Sequence, residues 1–489
     1  MGAPESQPQI RNYIPGQIVY IPNPELVPLY PTPLWPRPLF GFFIRLVTLV
    51  FVCWVTIKVI IPAALRVSIP WSRIDKDYDT HMVLPSDVKV NDCAGWETRE
   101  EGWYNIIATT SLQLPVDSER LFFLRDGRVM DGSFTVVQGD SISDKIDVEV
   151  ILTAKNDGLV DGTQVCFLSR ETGGHGVGIL AEYPRHWNNG VSVGIVVTLP
   201  QSPHGKLALK TFESHLPFIR QSLTLDDNVT FQKLDISGEF STIAAEGIFA
   251  DQVMLKTTNA AISGSIEASE SLSISTTNAK ISGKFTSPKS LDINTSNGPI
   301  SGRFWSSDFI SLSTENAHID ADVDLFHDGV SDEKVTTLKI RTTNGAIDGT
   351  INTTSLLPTG LGGSFNISAI TTNGKNTLKF PTISPRANLS LTASTQAAAI
   401  AVELDEAYEG DFNVQTSRWE KVDVVVWRNP RVSDPEGRGR QRHVDLMRGG
   451  GGGGGERGAG RVWWGEGDGG KGKGKVDVRT SYGRATLVV

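Results

Sequence analysis

The sequence predicts an all-β protein organised as a parallel β-solenoid of the β-helix kind, with an irregular β-rich cap on its N-terminal side and one transmembrane helix ahead of the cap. Three observations predict it. A Thr-Thr-Asn-Ala-x-Ile-Ser-Gly phrase at 257–264 returns at 276–283 and, as Thr-Ser-Asn-Gly-Pro-Ile-Ser-Gly, at 295–302, so that Asn259, Asn278, Asn297 and Asn316 stand 19 residues apart. Apolar residues alternate on both sides of each asparagine, and an apolar run over 39–67 precedes everything that looks like a strand.

The repeat reads in register. Six and four places before the asparagines lie Val253 and Leu255, Leu272 and Ile274, Leu291 and Ile293, Ile310 and Leu312; three and seven places after them lie Ile262 and Ile266, Ile281 and Phe285, Ile300 and Phe304, Ile319 and Val323. Period two on both sides of a polar corner means two half-buried strands joined by a turn. One such pair cannot bury its apolar row alone, so successive units must stack, each asparagine above the last. Asparagine suits the corner in two ways: it tolerates left-handed dihedrals, and stacked amides can bond one another in a ladder. The frame continues with longer spacers around Asn344 and Asn373, and Val476, Val478, Thr480, Ala485, Leu487 and Val489 repeat it around Tyr482. Solenoid repeats are therefore placed at 221–427, with terminal solenoid strands at 476–489.

Residues 1–38 hold ten of the 25 prolines and almost no charge, which predicts an extended, disordered arm; Pro28-Leu-Tyr-Pro31 and Pro33-Leu-Trp-Pro36 have the spacing read by proline-binding domains. Leu39 to Leu65 is apolar apart from Arg45, Lys58 and a few neutral breaks, and as a helix it would be about 40 Å long, enough to span a bilayer. A transmembrane helix over 39–67, acting as an uncleaved signal anchor, is the expectation. Positive charge flanks both ends and does not orient it. The sequons Asn228, Asn294, Asn352, Asn366 and Asn388 all follow the apolar run, and Cys93 and Cys166 are an even pair suited to one disulfide, so the C-terminal part is expected outside the cytoplasm. Residues 68–220 are β-rich without visible repeats and are read as the cap. The arginine-, glycine- and lysine-rich stretch 428–475 is read as a disordered loop.

A net charge of -9 argues against nucleic acid as a partner. Candidate chemistry is thin. Gly139-Asp140-Ser141-Ile142 resembles the nucleophile block of GDSL-type hydrolases, and Asp324-Leu-Phe-His327 the Asp-x-x-His that activates it, but an α/β scaffold is missing. Gly173-Gly-His175-Gly-Val-Gly178 lacks the Lys-Ser/Thr of a phosphate loop and reads as a tight hairpin. Asp320, Asp322 and Asp324 point outward from one strand, without the calcium-loop glycine or final glutamate. Lys284, Arg303 and Asp322 share one offset in three successive units, with Asp320 two residues away, which is where a polysaccharide-cleaving β-helix would gather its groups.

From Val229 to Lys379 the chain resembles an adhesin-like β-solenoid family of unknown function, found in bacteria and in fungal membrane proteins, through its recurrent Leu-x-Ile-x-Thr-Thr-Asn-Gly/Ala-x-Ile-x-Gly block. The resemblance implies the fold and no catalytic residues. The expected function is that of a membrane-anchored, adhesive or structural binding module, not an enzyme and without cofactor or metal, whose solenoid face takes glycan, cell-wall material or a protein. The alternatives are a β-helix enzyme acting on acidic polysaccharide, and a scaffold whose proline-rich arm recruits cytosolic partners.

Overall fold

The computed structural model describes residues 84–101, 105–127, 131–181, 190–203, 205–329, 334–417, 422–425, 433–450, 456–466 and 474–489. The strands stack in parallel, and two walls enclose one apolar interior. One wall is formed by the second parts of Ile243–Thr257 and Ile262–Thr276, then Ser290–Thr295, Phe309–Ser313, Thr336–Arg341, Ser364–Ile370 and Asn388–Thr395. The other is formed by the first parts of the same two long strands, then Ile281–Thr286, Ile300–Ser306, Ile319–His327, Ile347–Ser355, Asn376–Ile383 and Ile400–Glu403. Each 19-residue unit crosses from one wall to the other and returns one level higher.

The register stacks like on like. Ile262, Ile281, Ile300, Ile319 and Ile347 form one inward row, and Leu272, Leu291, Ile310, Leu338, Ile367 and Leu391 form another, all at most 1% exposed. β-Branched and leucine side chains fill a pleated surface well, and every level shields its neighbours' backbone and core together. The glycines at 264, 283 and 302 are obligatory in this packing: Gly283 has φ +154°, and a Cβ there would meet the Gly264 carbonyl oxygen at 2.0 Å.

The corner departs from expectation in one respect. None of the corner asparagines has a positive φ; among the described non-glycine residues only Phe218, Phe240 and Arg386 do. Asparagine is there for the ladder: Asn278 donates its amide to Asn259 at 2.5 Å, Asn297 to Asn278 and Asn316 to Asn297 at 2.6 Å, Asn344 to Asn316 at 2.6 Å, and Asn373 to Asn344 at 2.7 Å. The rings of Phe218 and Phe240, in the same column below Asn259, lie 5.1 Å apart and nearly parallel. Beneath the amides runs a buried ladder of threonines. Thr276, Thr295, Thr314, Thr342, Thr371 and Thr395 each donate to a carbonyl oxygen one level back, and Thr295, Thr342 and Thr371 also accept the N–H of Gly298, Gly345 and Gly374. The hydroxyls thus satisfy backbone groups that a turn inside the protein would otherwise orphan.

Both ends break the chain order. Toward the N-terminus, Arg120–Gly127 lies between His175–Ala181 and Leu207–His215, and Asp131–Ile142 between Val191–Gln201 and Arg220–Thr224, all parallel. The solenoid therefore begins inside the region expected to be an irregular cap; these levels lack the Thr-Asn corner and are threaded out of order, so no period betrays them. Antiparallel strands then end the stack: Thr163–Arg170 and Val88–Ala94 on one wall, and Lys145–Ala154, Asn105–Pro115 and Glu97–Glu101 on the other. Cys93 and Cys166 face each other and form a disulfide. Buried Arg125 ties this end together, donating to the carbonyl oxygens of Pro217 at 2.5 Å and Gly127 at 2.8 Å, and burial pushes its pKa down to about 10.

At the other end Gly474–Thr480 lies between Asn388–Thr395 and Gly410–Gln415, and Ala485–Val488 between Ile400–Glu403 and Val422–Val425. Within the stretch 428–475, expected to be a disordered loop, the described residues include two strands. Arg442–Gly450 and Glu456–Trp464 form an antiparallel hairpin on Gly410–Gln415. The reason is close packing: a Cβ at Gly460 would strike the Asp445 carbonyl oxygen at 2.3 Å and the Phe412 ring at 2.5 Å.

The predicted membrane helix is corrected. Among the described residues no helix is long and apolar enough to cross a membrane, and the helix they contain is the five-residue Asp157–Asp161. The run 39–67 and the arm 1–38 lie outside the described residues. The described residues are all-β, a two-walled parallel solenoid with antiparallel strands at its N-terminal end and on one wall at its C-terminal end.

Candidate binding face

The wall containing Ile281–Thr286, Ile300–Ser306, Ile319–His327 and Ile347–Ser355 carries the outward groups singled out in the sequence. Parallel register places Lys284 beside Arg303, Arg303 beside Asp322 and Asp322 beside Thr350; two residues away, Ser301, Asp320 and Asp348 form a second file. Lys284, Arg303, Asp320, Asp322 and Asp348 are exposed. Adjacent members of a file are one strand spacing apart, about 4.8 Å. These groups are neighbours, but they lie in straight files along a sheet and do not converge. Among the described residues no group of three His, Cys, Asp or Glu could hold a metal ion.

A third outward file was missed in the sequence. Trp305 stands between Thr286 and Asp324, and Asp324 beside Asn352, whose amide donates to the Asp324 carboxylate at 2.9 Å. The Trp305 ring packs 5.2 Å from Phe326, and both side chains are half-buried on the outer side of their strands. The signal was available: Phe304-Trp305 and Leu325-Phe326 each put a ring at the offset where other units carry a polar residue.

The hydrolase motif fails on geometry. Asp324 points outward while His327, three residues on, points inward and is 2% exposed, so one strand holds them on opposite faces. Ser141 is on Asp131–Ile142, six strand steps or about 29 Å down the same wall. Gly173 and Gly174 form the tight turn between Thr163–Arg170 and His175–Ala181, as read.

The opposite wall presents a field of hydroxyls, with Ser273, Ser311, Ser368 and Thr392 in one file interrupted by Asp292 and Lys339. An open depression of about 330 Å³ lies further along the first wall, lined by Lys379, Phe380, Pro381, Glu403, Leu404, Asp405 and Glu406. Burial raises the Asp405 carboxyl above its ordinary value. Next to it a compact ion knot joins Arg440 to Asp434 at 2.8 Å and to Glu436 at 2.7 Å. The Arg440 hydrogen bonds hold the Asp434 carboxyl well below the usual carboxylate range. Arg386 to Glu436 at 2.8 Å and Arg440 to Glu409 at 3.6 Å tie this knot to the stack.

No protein-family model matches the chain, and no curated protein does. Among solved structures it is similar to a putative cell adhesion protein from Clostridium sporogenes, at 8% identity over 78% of this chain and 99% of that one, with a TM-score of 0.14. A score that low carries no argument about fold or function.

Proposed function

We propose that this chain is a non-catalytic, adhesive binding module whose face around Lys284, Arg303, Asp320, Asp322 and Asp348 meets an extended partner outside the cytoplasm. The observation that carries the reading is the register: the same outward position recurs every strand spacing along straight files, a geometry that matches a long partner better than a compact substrate. The Cys93–Cys166 disulfide and the exposure of the sequon residues Asn228, Asn366 and Asn388 support an oxidising, glycan-adding compartment.

The test is adhesion. Beads coated with the full chain should retain isolated cell-wall polysaccharide particles, and the triple reversal Asp320→Lys, Asp322→Lys, Asp348→Lys should change retention several-fold. Equal retention by the two proteins would sink the reading. Incubation with polygalacturonate should release no reducing ends; release abolished by Asp322→Asn would put catalysis in its place.

A further inference from the structure

We infer that Trp305 and Phe326 form a subsite for the flat face of a hexopyranose ring in an uncharged polysaccharide. The inference deepens the proposed binding face and rests on it. Two aromatic side chains on the outer side of neighbouring strands, 5.2 Å apart, cost solvation without adding to the interior. A sugar ring offers a patch of C–H groups that an aromatic face can cover, ringed by hydroxyls that need partners at the rim. The rim here is furnished. Asp324 faces Trp305 directly, and Asn352 fixes that carboxylate from the far side, leaving an oriented acceptor with little freedom to lose on binding. Thr286 faces Trp305 from the level below, and Arg303 lies two residues before it, supplying a hydroxyl and a donor at the same rim.

Charge selects among polysaccharides. Asp320, Asp322, Asp324 and Asp348 crowd the files beside the rings, against Lys284 and Arg303. The carboxylates are in excess, so a uronic-acid polymer meets repulsion and an uncharged one does not. The files also run along the stack at about 4.8 Å per step, so a polymer lying over Trp305 passes successive polar groups at regular intervals.

Affinity electrophoresis of the full chain tests this, with soluble neutral β-glucan or polygalacturonate cast in the gel. The neutral glucan is expected to retard the protein, and polygalacturonate to retard it less. Trp305→Ala should weaken the apparent affinity about five-fold or more, the scale of one lost aromatic contact. Thr286→Arg, which leaves both rings in place and covers Trp305 from the adjacent level, should do the same; it keeps the test valid if Trp305→Ala disturbs the strand, as near-UV circular dichroism would reveal. Retardation by neutral glucan that neither variant reduces overturns the assignment, as does stronger retardation by polygalacturonate. If glucan fails while the coated beads still bind wall particles through Asp320, Asp322 and Asp348, the sugar assignment falls and the binding face stands. If both fail, the face itself is refuted.

Discussion

Thr342→Val and Asn344→Ala, two substitutions in one corner, separate the two ladders. Thr342 is 2% exposed; its hydroxyl donates to the Ala317 carbonyl oxygen at 3.0 Å and accepts the Gly345 N–H at 3.1 Å. Valine keeps the shape and removes both bonds, leaving the Gly345 N–H and one carbonyl without partners or water. An orphaned buried group costs about 1–3 kcal/mol, so the two together cost at least about 2–3 kcal/mol. Asn344 also makes two bonds, to Asn316 at 2.6 Å and from Asn373 at 2.7 Å, but it is exposed and water replaces what alanine removes, for about 1 kcal/mol. Native-state hydrogen exchange suits a stack whose levels can open locally. At ten-fold per 1.4 kcal/mol, Thr342→Val should speed exchange of amides in Thr336–Arg341 and Ile347–Ser355 roughly 30- to 140-fold, and Asn344→Ala about five-fold. An asparagine effect equal to or larger than the threonine effect would refute the assignment of corner stability to the buried hydroxyls.

Gly283→Ala places a methyl against the Gly264 carbonyl oxygen and should cost about 3 kcal/mol or more, seen as a lower urea midpoint than that of the half-buried neighbouring control Ser282→Ala. Arg125→Met leaves the carbonyl oxygens of Pro217 and Gly127 unpaired and should cost about 3 kcal/mol at the N-terminal end, read by faster exchange in Leu207–His215 with little change in Asn388–Thr395. The Asp434 carboxyl has a lowered folded-state pKa, so the stability it contributes is present above the unfolded value near 3.8 and is lost as pH falls through the folded value below it. Exchange protection of Arg442–Gly450, corrected for the intrinsic rate, should therefore persist to pH 4 and fall only in stronger acid, and Asp434→Asn should reduce it already at pH 7.

The central solenoid was legible because stacking in register gives residues 19 apart the same surroundings. Leu272 and Leu291 answer to one environment and so carry one residue type. The ends were not legible, because a level such as Arg120–Gly127 takes its neighbours from His175–Ala181 and Leu207–His215, distant in sequence on the same side. The strand pair in the glycine-rich stretch was hidden for a related reason: Gly460, which looks like slack, is the position that admits Phe412. On the candidate face, the shared position of Lys284, Arg303 and Asp322 followed from offset alone. Trp305 and Phe326 escaped because an aromatic residue beside a buried phenylalanine or leucine reads as more core, and only the strict alternation turns it outward.

The insertion of Gly474–Thr480 and Ala485–Val488 between levels that precede them in the chain sets a timetable for assembly. A growing polypeptide can wind the central levels as they emerge, each onto the one before. At Asn388–Thr395 and Ile400–Glu403 the winding must pause, because the strands that cover them come later in the chain than Gly410–Gln415 and Val422–Val425. Gly410–Gln415, Val422–Val425 and the hairpin beyond them have no surface to dock on until that wedge arrives. The C-terminal levels thus close only once Gly474–Thr480 and Ala485–Val488 have been made, and a chain cut short before residue 474 leaves Asn388–Thr395 and Ile400–Glu403 as uncovered parallel edges, the kind of template on which chains add to one another.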